Sequence, residues 1–493
     1  MLEELHSLRE HGVFELCELP AGCRPLPAKW VLKIKRGAQG EIERFKTRYV
    51  AKGFEQVHGV DFFETWAPVG RYATLRALLS ICVVWDLETK HIEIKCAFLN
   101  GVLHQDVYIV QPPMFHDGSR RVWKLKKALY GLKPATCEWH KALVQLLSEL
   151  GFDRCHSDPA LFVSKVGRCF IFLWVDDLLM FNEQSLLQPL VEKILTAFDG
   201  RDLKELNHVL GMEVKWDRET STLSISHKQM ISSLLERNNM SGCRCSPTLL
   251  VPREKIMSLS EDPSHEKASV SDHNRFMKAV RSIQYIAAVP RPDIAYVGHT
   301  FARHMASSAT KHWLVVQHVL RYLQSTIDVA LTFNGSGDSV VDVFSDADFA
   351  NGASLKSVSG MVLRMYKNCV FWRSKRQDIT AGDTTEAELI AMSSAANELM
   401  WIKQLCTDLS ITAKKPTLWG DNKSANFLAV NPISCDTSKH IRARHLRVRE
   451  YVAHDEMDVK WVGTREILAD GFTKTLPGLA LSDLRDKLHL RKS

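Results

Sequence analysis

The stretch from Cys169 to Met180 reads CFIFLWVDDLLM, ten apolar residues around two adjacent carboxylates, Asp176 and Asp177. The run CFIFLWV has the character of a buried strand, and LLMF that of its partner. A tight turn at VDD then makes a hairpin whose tip carries both acids. Burying like charges side by side drives one of them to protonate unless an opposite charge arrives. Two readings stand. The pair are ordinary turn aspartates, or they are hard oxygen ligands for a divalent cation such as magnesium.

A third carboxylate bears on the choice. KHIEIKCAFLNG, residues 90–101, is an alternating strand followed by an Asn-Gly turn, with Glu93 on the face opposite Ile92 and Ile94. One acid on a strand and two on a neighbouring hairpin is a layout for nucleotidyl transfer with paired ions. Such ions sit ~4 Å apart, activate an attacking 3′ oxygen and steady a leaving pyrophosphate.

The chain of 493 residues is long enough for two or more domains, and 45% apolar with 25% charged residues is the make-up of ordinary folded protein. A net charge of +7 leans towards a polyanionic partner without requiring one. The twelve cysteines include no C-x-x-C pair. That argues against a zinc module or a disulfide framework, and for reduced thiols in an intracellular chain of the cytoplasm or nucleus. MLEELHSLREHG is too polar for a signal peptide, and no apolar run approaches the ~18 residues of a membrane span.

Residues 25–240 alternate short strands with helices. Residues 241–275 read as a linker, 276–338 as a helical connection, 339–476 as a second alternating zone and 477–493 as a tail. Near the start, KWVLKIK and EIERFKTRYVAKG flank the turn RGAQG, a hairpin dense in cations that include Arg48 and Lys52. It is either a solvated edge ribbon protected by charge or a ribbon that meets phosphates.

Four further acids fall at element ends in the C-terminal zone. VVDVF reads as a strand with Asp346 just past its end. TTEAELIAMSSAANELMWIKQL carries Leu389, Met392, Ala396, Leu399 and Ile402 at helical spacing, with Glu388 near its start. TLWG is a short strand ending before Asp421, and Asp470 follows in LADGF. Each has a local alternative: Thr385 and Glu388 as a capping box, Asp421 and Asp470 as helix caps. Taken together and in this order, the four suit a second paired-ion site.

WVLKIKRGAQGEIERFKTRYVAKGF, ETWAPVGR, IKCAFLNG, VYIVQPP, KLKKALYGLK, WVDDLL and LGMEV resemble, in order, the copia-type retrotransposon reverse transcriptase. RPDIAY, HVLRYLQST, SDADFA, TTEAELIAM, GDNKSA, SKHI and LADGFTKTL extend the resemblance, the last five to the ribonuclease H domain that follows the polymerase in that family. The resemblance implies an α+β right-hand polymerase of fingers, palm and thumb over 1–240, followed by the linker, the helical connection and a ribonuclease H-like domain over 339–476. It implies RNA-directed DNA polymerase activity at Glu93, Asp176 and Asp177, and hybrid cleavage at Asp346, Glu388, Asp421 and Asp470. Each site would hold two Mg2+ ions, with Mn2+ as a substitute. Phe98 falls on the aromatic that excludes a 2′-hydroxyl, its other reading being a core phenylalanine. Arg48 and Lys52 fall on finger positions that meet the incoming triphosphate. RNA template, DNA primer, RNA–DNA hybrid and deoxynucleoside triphosphates are the implied partners, with no membrane involved. His445, in SKHIRARHLRV, is a candidate helper or an exposed histidine, and Arg442, Arg444, Arg447 and Arg449 make that segment a candidate phosphate patch.

The chain departs from the family in places. Glu93 stands where the family has aspartate, a carboxylate displaced by roughly one C–C bond, ~1.5 Å. Pro134 replaces a glutamine and removes a backbone donor. Trp174 replaces the tyrosine before VDD, and Arg442 an aspartate. These changes predict a weakened polymerase beside an intact set of nuclease acids. They leave open a catalytically inactive nucleic-acid-binding relic.

Overall fold

Phe170, Ile171, Phe172 and Leu173 are all buried, as are Leu178, Leu179, Met180 and Phe181. Strands covered on both faces need no polar alternation, which is why this stretch reads as an unbroken apolar run. The computed structural model describes residues 1–36, 42–183, 187–249, 267–350, 355–431 and 446–492. They fall into two compact units: Met1–Gly70 with Glu88–Glu205, and Arg71–Leu87 with Leu206–Ser493. The helix Tyr72–Trp85 thus belongs with the second unit, although it lies in sequence inside the first.

The first unit is built on a six-stranded sheet in the order Gly200–Asp202, Glu88–Ile94, Asp177–Asn182, Cys169–Trp174, Leu161–Ser164, Phe152–Arg154. Every neighbouring pair is antiparallel. Ile92, Ile94, Leu178 and Met180 pack with Trp139, Leu143 and Leu147 of the helix Ala135–Glu149. Fully burying each of these aliphatic side chains contributes about 1.5–3 kcal/mol. The cationic hairpin forms as a separate two-stranded ribbon, Ala28–Arg36 against Ile42–Ala51; its tip, residues 37–41, lies outside the described residues. An acidic helix, Leu2–Glu10, opens the chain.

The second unit holds two sheets. One is mixed, in the order Asn368–Arg376, Val358–Met365, Val341–Asp348, Thr417–Gly420, Asp458–Trp461. Its first three strands are antiparallel, and Thr417–Gly420 runs parallel to both of its neighbours. The helix Thr384–Asp408 buries Leu389, Met392, Ala396, Leu399 and Ile402, the positions its periodicity singled out.

Several sequence-based boundaries change. The region read as a helical connection also contains the strand Val329–Asn334, which pairs with Thr222–Ser226 on one side and Leu490–Lys492 on the other. Its alternating ALTF is too short a run to stand out beside three helices. The residues read as a tail form the helix Gly478–Lys487 and that closing strand. The linker ends early, because Ser269 caps a helix that starts at Val270; much of the rest of it, 250–266, is outside the described residues. The described cysteines are free thiols. Among the described residues no helix is long and apolar enough to cross a membrane.

Two candidate carboxylate sites

The hairpin at Asp176 is as tight as a hairpin can be, since Trp174 pairs with Asp177 across two residues. Val175 takes a left-handed φ of +58°, costly for a β-branched residue. Trp139 steadies the turn by donating its indole N–H to the Val175 carbonyl at 2.9 Å. The next strand places Glu93 directly opposite Asp177, and the Ile94 N–H donates to the Asp176 carbonyl at 2.8 Å. All three acids therefore sit at one end of the sheet, as the sequence implied.

Their carboxylates do not close on one another in the same way. Asp177 Oδ1 accepts from His91 Nε2 at 2.8 Å. Asp176 Oδ1 is buried without a hydrogen-bond partner. Burial raises the Asp176 pKa, and Asp177 and Glu93 add to the rise while Arg48 and Lys46 oppose it. Among the described residues, one trio of ligand-bearing side chains lies within 4.8 Å of one another, and it is not this one.

Beside Asp176 lies a cavity of about 300 Å3. Arg48, Lys46 and Arg44 of the ribbon line one wall, Glu93 and Asp176 another, and Glu3 and Glu4 of the first helix a third. The Arg48 guanidinium rests 4.2 Å above the Tyr130 ring, and its Nε is buried without a partner. Glu4 accepts from the Tyr49 N–H at 3.2 Å. Phe98 and Lys52 are both half-buried and are not lining residues of this cavity. Phe98 packs edge-on to Tyr130, 5.9 Å between centroids. Pro134, read as replacing a glutamine and removing a backbone donor, is the N-terminal cap of the helix Ala135–Glu149. There a missing N–H costs nothing, because the first turn of a helix leaves its N–H groups unpaired anyway.

The second set converges. Asp346, Glu388 and Asp421 can each offer an oxygen within 4.8 Å of the others. Asp346 lies inside the strand Val341–Asp348 rather than past its end. Ser345 pairs in parallel with Gly420, so Asp346 and Asp421 each follow by one residue and emerge side by side. Glu388 comes in from the helix and accepts from the Ala347 backbone.

The local alternatives for these acids go to other residues. Asp383 caps the long helix by accepting from the Glu386 N–H at 2.8 Å, and Glu386 reaches back to the Gly382 N–H at 2.7 Å. Asp383 and Glu386 thus hold the helix start, which leaves Glu388 unused by the cap. Asn422, not Asp421, caps the following helix, accepting from Ala425 at 3.0 Å. Asp470 lies inside a short 3-10 turn, Leu468–Phe472, with its carboxylate 2.5 Å from Lys474 Nζ. That turn can approach Asp346 because Gly360, opposite Asp346 in the sheet, has no side chain: a Cβ there would meet the Ala469 carbonyl at 2.6 Å.

Burial pushes the Asp346 carboxyl up to about 6, with Asp470 and Asp421 adding repulsion and a 2.6 Å hydrogen bond from Thr473 opposing it. Burial, with Asp346 and Asp421, pushes Glu388 up to about 9. Three hard oxygens held together against their own repulsion fit a divalent cation. His91, Thr473 and Lys474 escaped the sequence reading. His91 was recoverable, since it lies two residues before Glu93 on the same strand face. His445, Arg442 and Arg444 lie outside the described residues.

Residues 11–252 match the family model described as reverse transcriptase (RNA-dependent DNA polymerase). The chain is 33% identical over 484 residues to a retrovirus-related Pol polyprotein from transposon TNT 1-94 of Nicotiana tabacum, covering 97% of this chain and 36% of the relative. It is 32% identical over 474 residues to one from transposon RE1 of Arabidopsis thaliana, covering 95% of this chain and 31% of that relative. Among solved structures it is similar, at 10% identity and a TM-score of 0.49, to a foamy viral protease-reverse transcriptase in complex with RNA/DNA hybrid, covering 93% of this chain and 52% of that one, a likeness too loose to argue from. Over residues 11–252 the chain matches the reverse transcriptase family; over nearly all of its length it is similar to retrovirus-related Pol polyproteins of transposons, and it spans about a third of the curated relatives it matches.

Proposed function

We propose that the chain carries two activities of a retrotransposon Pol protein: RNA-directed DNA synthesis in its first unit and hydrolysis of the RNA strand of an RNA–DNA hybrid in its second. The meeting of Asp346, Glu388 and Asp421 carries the nuclease half. The strand order of the mixed sheet and the long helix that delivers Glu388 agree with the ribonuclease H resemblance. These three residues would hold Mg2+ or Mn2+, which would supply charge neutralisation and an activated water. The chain's own part is to fix three oxygens, exclude bulk water by burial, and keep Lys474 beside Asp470 at the rim.

The polymerase half rests on the family match and on the Arg48–Asp176 cavity. There Arg48 and Lys46 would receive a triphosphate and Asp176 would face a primer 3′ hydroxyl, with an RNA template, a DNA primer and deoxynucleoside triphosphates as partners. A second reading is favoured by one observation: Asp177 is held by His91 while Glu93 is one methylene long. On that reading the first unit binds nucleic acid without turnover.

Primer extension on an RNA template, together with cleavage of a labelled hybrid, tests both. Glu93→Asp restores the shorter carboxylate and is expected to raise extension by about 10²-fold, the usual scale for a ~1 Å correction. Asp346→Asn is expected to abolish cleavage and leave extension intact. Full-rate extension by the unaltered chain would overturn the weakened-polymerase reading. Hybrid cleavage that survives Asp346→Asn would overturn the nuclease assignment.

A further inference from the structure

Asp470 parts company with the other three acids of its set. Asp346, Glu388 and Asp421 can all offer oxygens within 4.8 Å of one another, and Asp470 is not among them. Its carboxylate lies 2.5 Å from the ammonium of Lys474 instead, with the acid side chain 21% exposed and the lysine 49%. Such a pair, four residues apart in open water, contributes little. This one is not in open water, because the turn that carries it is pinned to the acids. Thr473 is fully buried. Its hydroxyl sits between Asp346 Oδ2, at 2.6 Å, and the Asp470 carbonyl, at 2.9 Å. The next residue along the chain is Lys474.

The charge of Lys474 reaches beyond its partner. It opposes the upward push that burial gives Asp346 and Glu388. Burial works against the ammonium in turn, yet Asp470, then Asp346 and Asp348, hold its pKa above the ordinary lysine value. A lysine is a compact charge on a flexible four-carbon stem, so it can neutralise a carboxylate and still withdraw. The balance of charge points the same way. Four carboxylates with one divalent ion and one ammonium stand one negative charge from neutral. A second divalent ion would carry the site past neutrality unless the ammonium moved off or a phosphate came in.

We propose that Lys474 is a built-in counter-ion of the second site. Its ammonium holds Asp470 in place of a second divalent cation, so the free protein takes one ion, at Asp346, Glu388 and Asp421. Asp470 becomes a ligand only when Lys474 swings away, and the phosphate of an arriving strand is the group with the charge to draw it off. This order of filling rests on the nuclease reading for its purpose, and its test separates the two.

The test counts Mn2+ ions by calorimetric titration of the whole chain without nucleic acid. A Glu93→Gln/Asp176→Asn/Asp177→Asn background removes the acids of the first site. With Lys474 in place, one ion is expected. Lys474→Met keeps the aliphatic stem and drops the charge. A second ion should then bind, about tenfold or more tighter than any second ion in the parent, the scale of removing a unit charge from beside a cation. Lys474→Arg keeps a charge and should hold the count at one. Asp470→Asn/Lys474→Met loses the ligand as well and should also stay at one. A thermal melt checks each fold, and Lys474→Gln repeats the count if the methionine variant misfolds. Equal counts and affinities in the parent and Lys474→Met overturn the proposal, and so does a gain that survives the loss of Asp470. Unchanged ion binding with weaker binding of an RNA–DNA hybrid in calcium also overturns it, by making Lys474 a phosphate contact instead. If the unaltered chain fails to cleave the hybrid with magnesium yet Lys474→Met gains an ion, the nuclease reading falls and the counter-ion stands. If cleavage is normal and the count does not move, the counter-ion falls and the nuclease reading stands.

Discussion

His91 and Asp177 face each other across adjacent strands, with the imidazole Nε2 2.8 Å from the carboxylate Oδ1. His91 is 6% exposed and Asp177 is only partly covered. An oxygen engaged by a buried ring is not free to turn towards Asp176 and Glu93. Replacing His91 with alanine should release it and raise the affinity of the first site for Mn2+ by about tenfold or more. Calorimetric titration can read this on an Asp346→Asn/Glu388→Gln background, which silences the other site. The same substitution leaves a buried gap and should cost about 1–3 kcal/mol in unfolding free energy. Unchanged Mn2+ affinity in a folded variant would mean that the hydrogen bond is not what holds the carboxylates apart.

At the second site the charges predict proton release on ion binding. With Glu388 at about 9 and Asp346 at about 6, the ion-free site carries a proton on Glu388 at pH 7.5. A cation needs that carboxylate bare, so binding displaces about one proton. Apparent affinity should climb about tenfold per pH unit between 6 and 9. The sign also holds for the ion-free fold: acids raised above their unfolded values lose stability as pH rises through the folded pKa, until a cation replaces the proton. Calorimetry in buffers of different ionisation enthalpy counts the protons. Glu388→Gln should abolish the release, and release that persists in it would put the proton elsewhere.

The hairpin tip makes a stability prediction. Val175 holds φ at +58°, and a left-handed residue with a Cβ costs roughly 1–2 kcal/mol. Val175→Gly removes the strain, offset in part by the greater freedom of glycine in the unfolded chain. A net gain of about 0.5–1 kcal/mol is expected in urea unfolding of the first unit. A loss instead would show that the Val175 side chain holds the tip by packing.

Much of this was legible in the sequence where the pattern was long or the chemistry dense. The run at Phe170–Met180 spells a hairpin and the stripe Leu389–Ile402 a helix, and both form as read. Competition between neighbours was not legible. Asp383 with Glu386 out-competes Thr385 with Glu388 for the helix start, and Asn422 out-competes Asp421; the sequence reading named only Thr385 with Glu388 and Asp421, because spacing alone does not rank neighbouring caps. Strands completed from far away were also hidden. Val329–Asn334 is a strand because Thr222–Ser226 and Leu490–Lys492 flank it, and its own short alternation is too weak to say so. The His91–Asp177 bond depends on register between two strands 86 positions apart, which local periodicity cannot set.

His227 carries the last prediction. It is 1% exposed, and neither ring nitrogen has a hydrogen-bond partner. It stacks on Tyr285 at 5.0 Å between centroids. Burial pulls its pKa down to about 4, and His299 and His304 are pulled to about 4 as well. In the unfolded chain each returns to about 6.5. Between those values the unfolded state binds more protons than the folded one, so stability falls as pH drops from about 6.5 to about 4 and levels off below. For His227 alone the loss is on the order of 3 kcal/mol across the window. Urea midpoints of the second unit at pH 7.5, 5.5 and 4.5 should show the decline, and His227→Phe should make it shallower by one proton. An identical pH dependence in the wild type and His227→Phe would show that this ring is not held neutral by the fold.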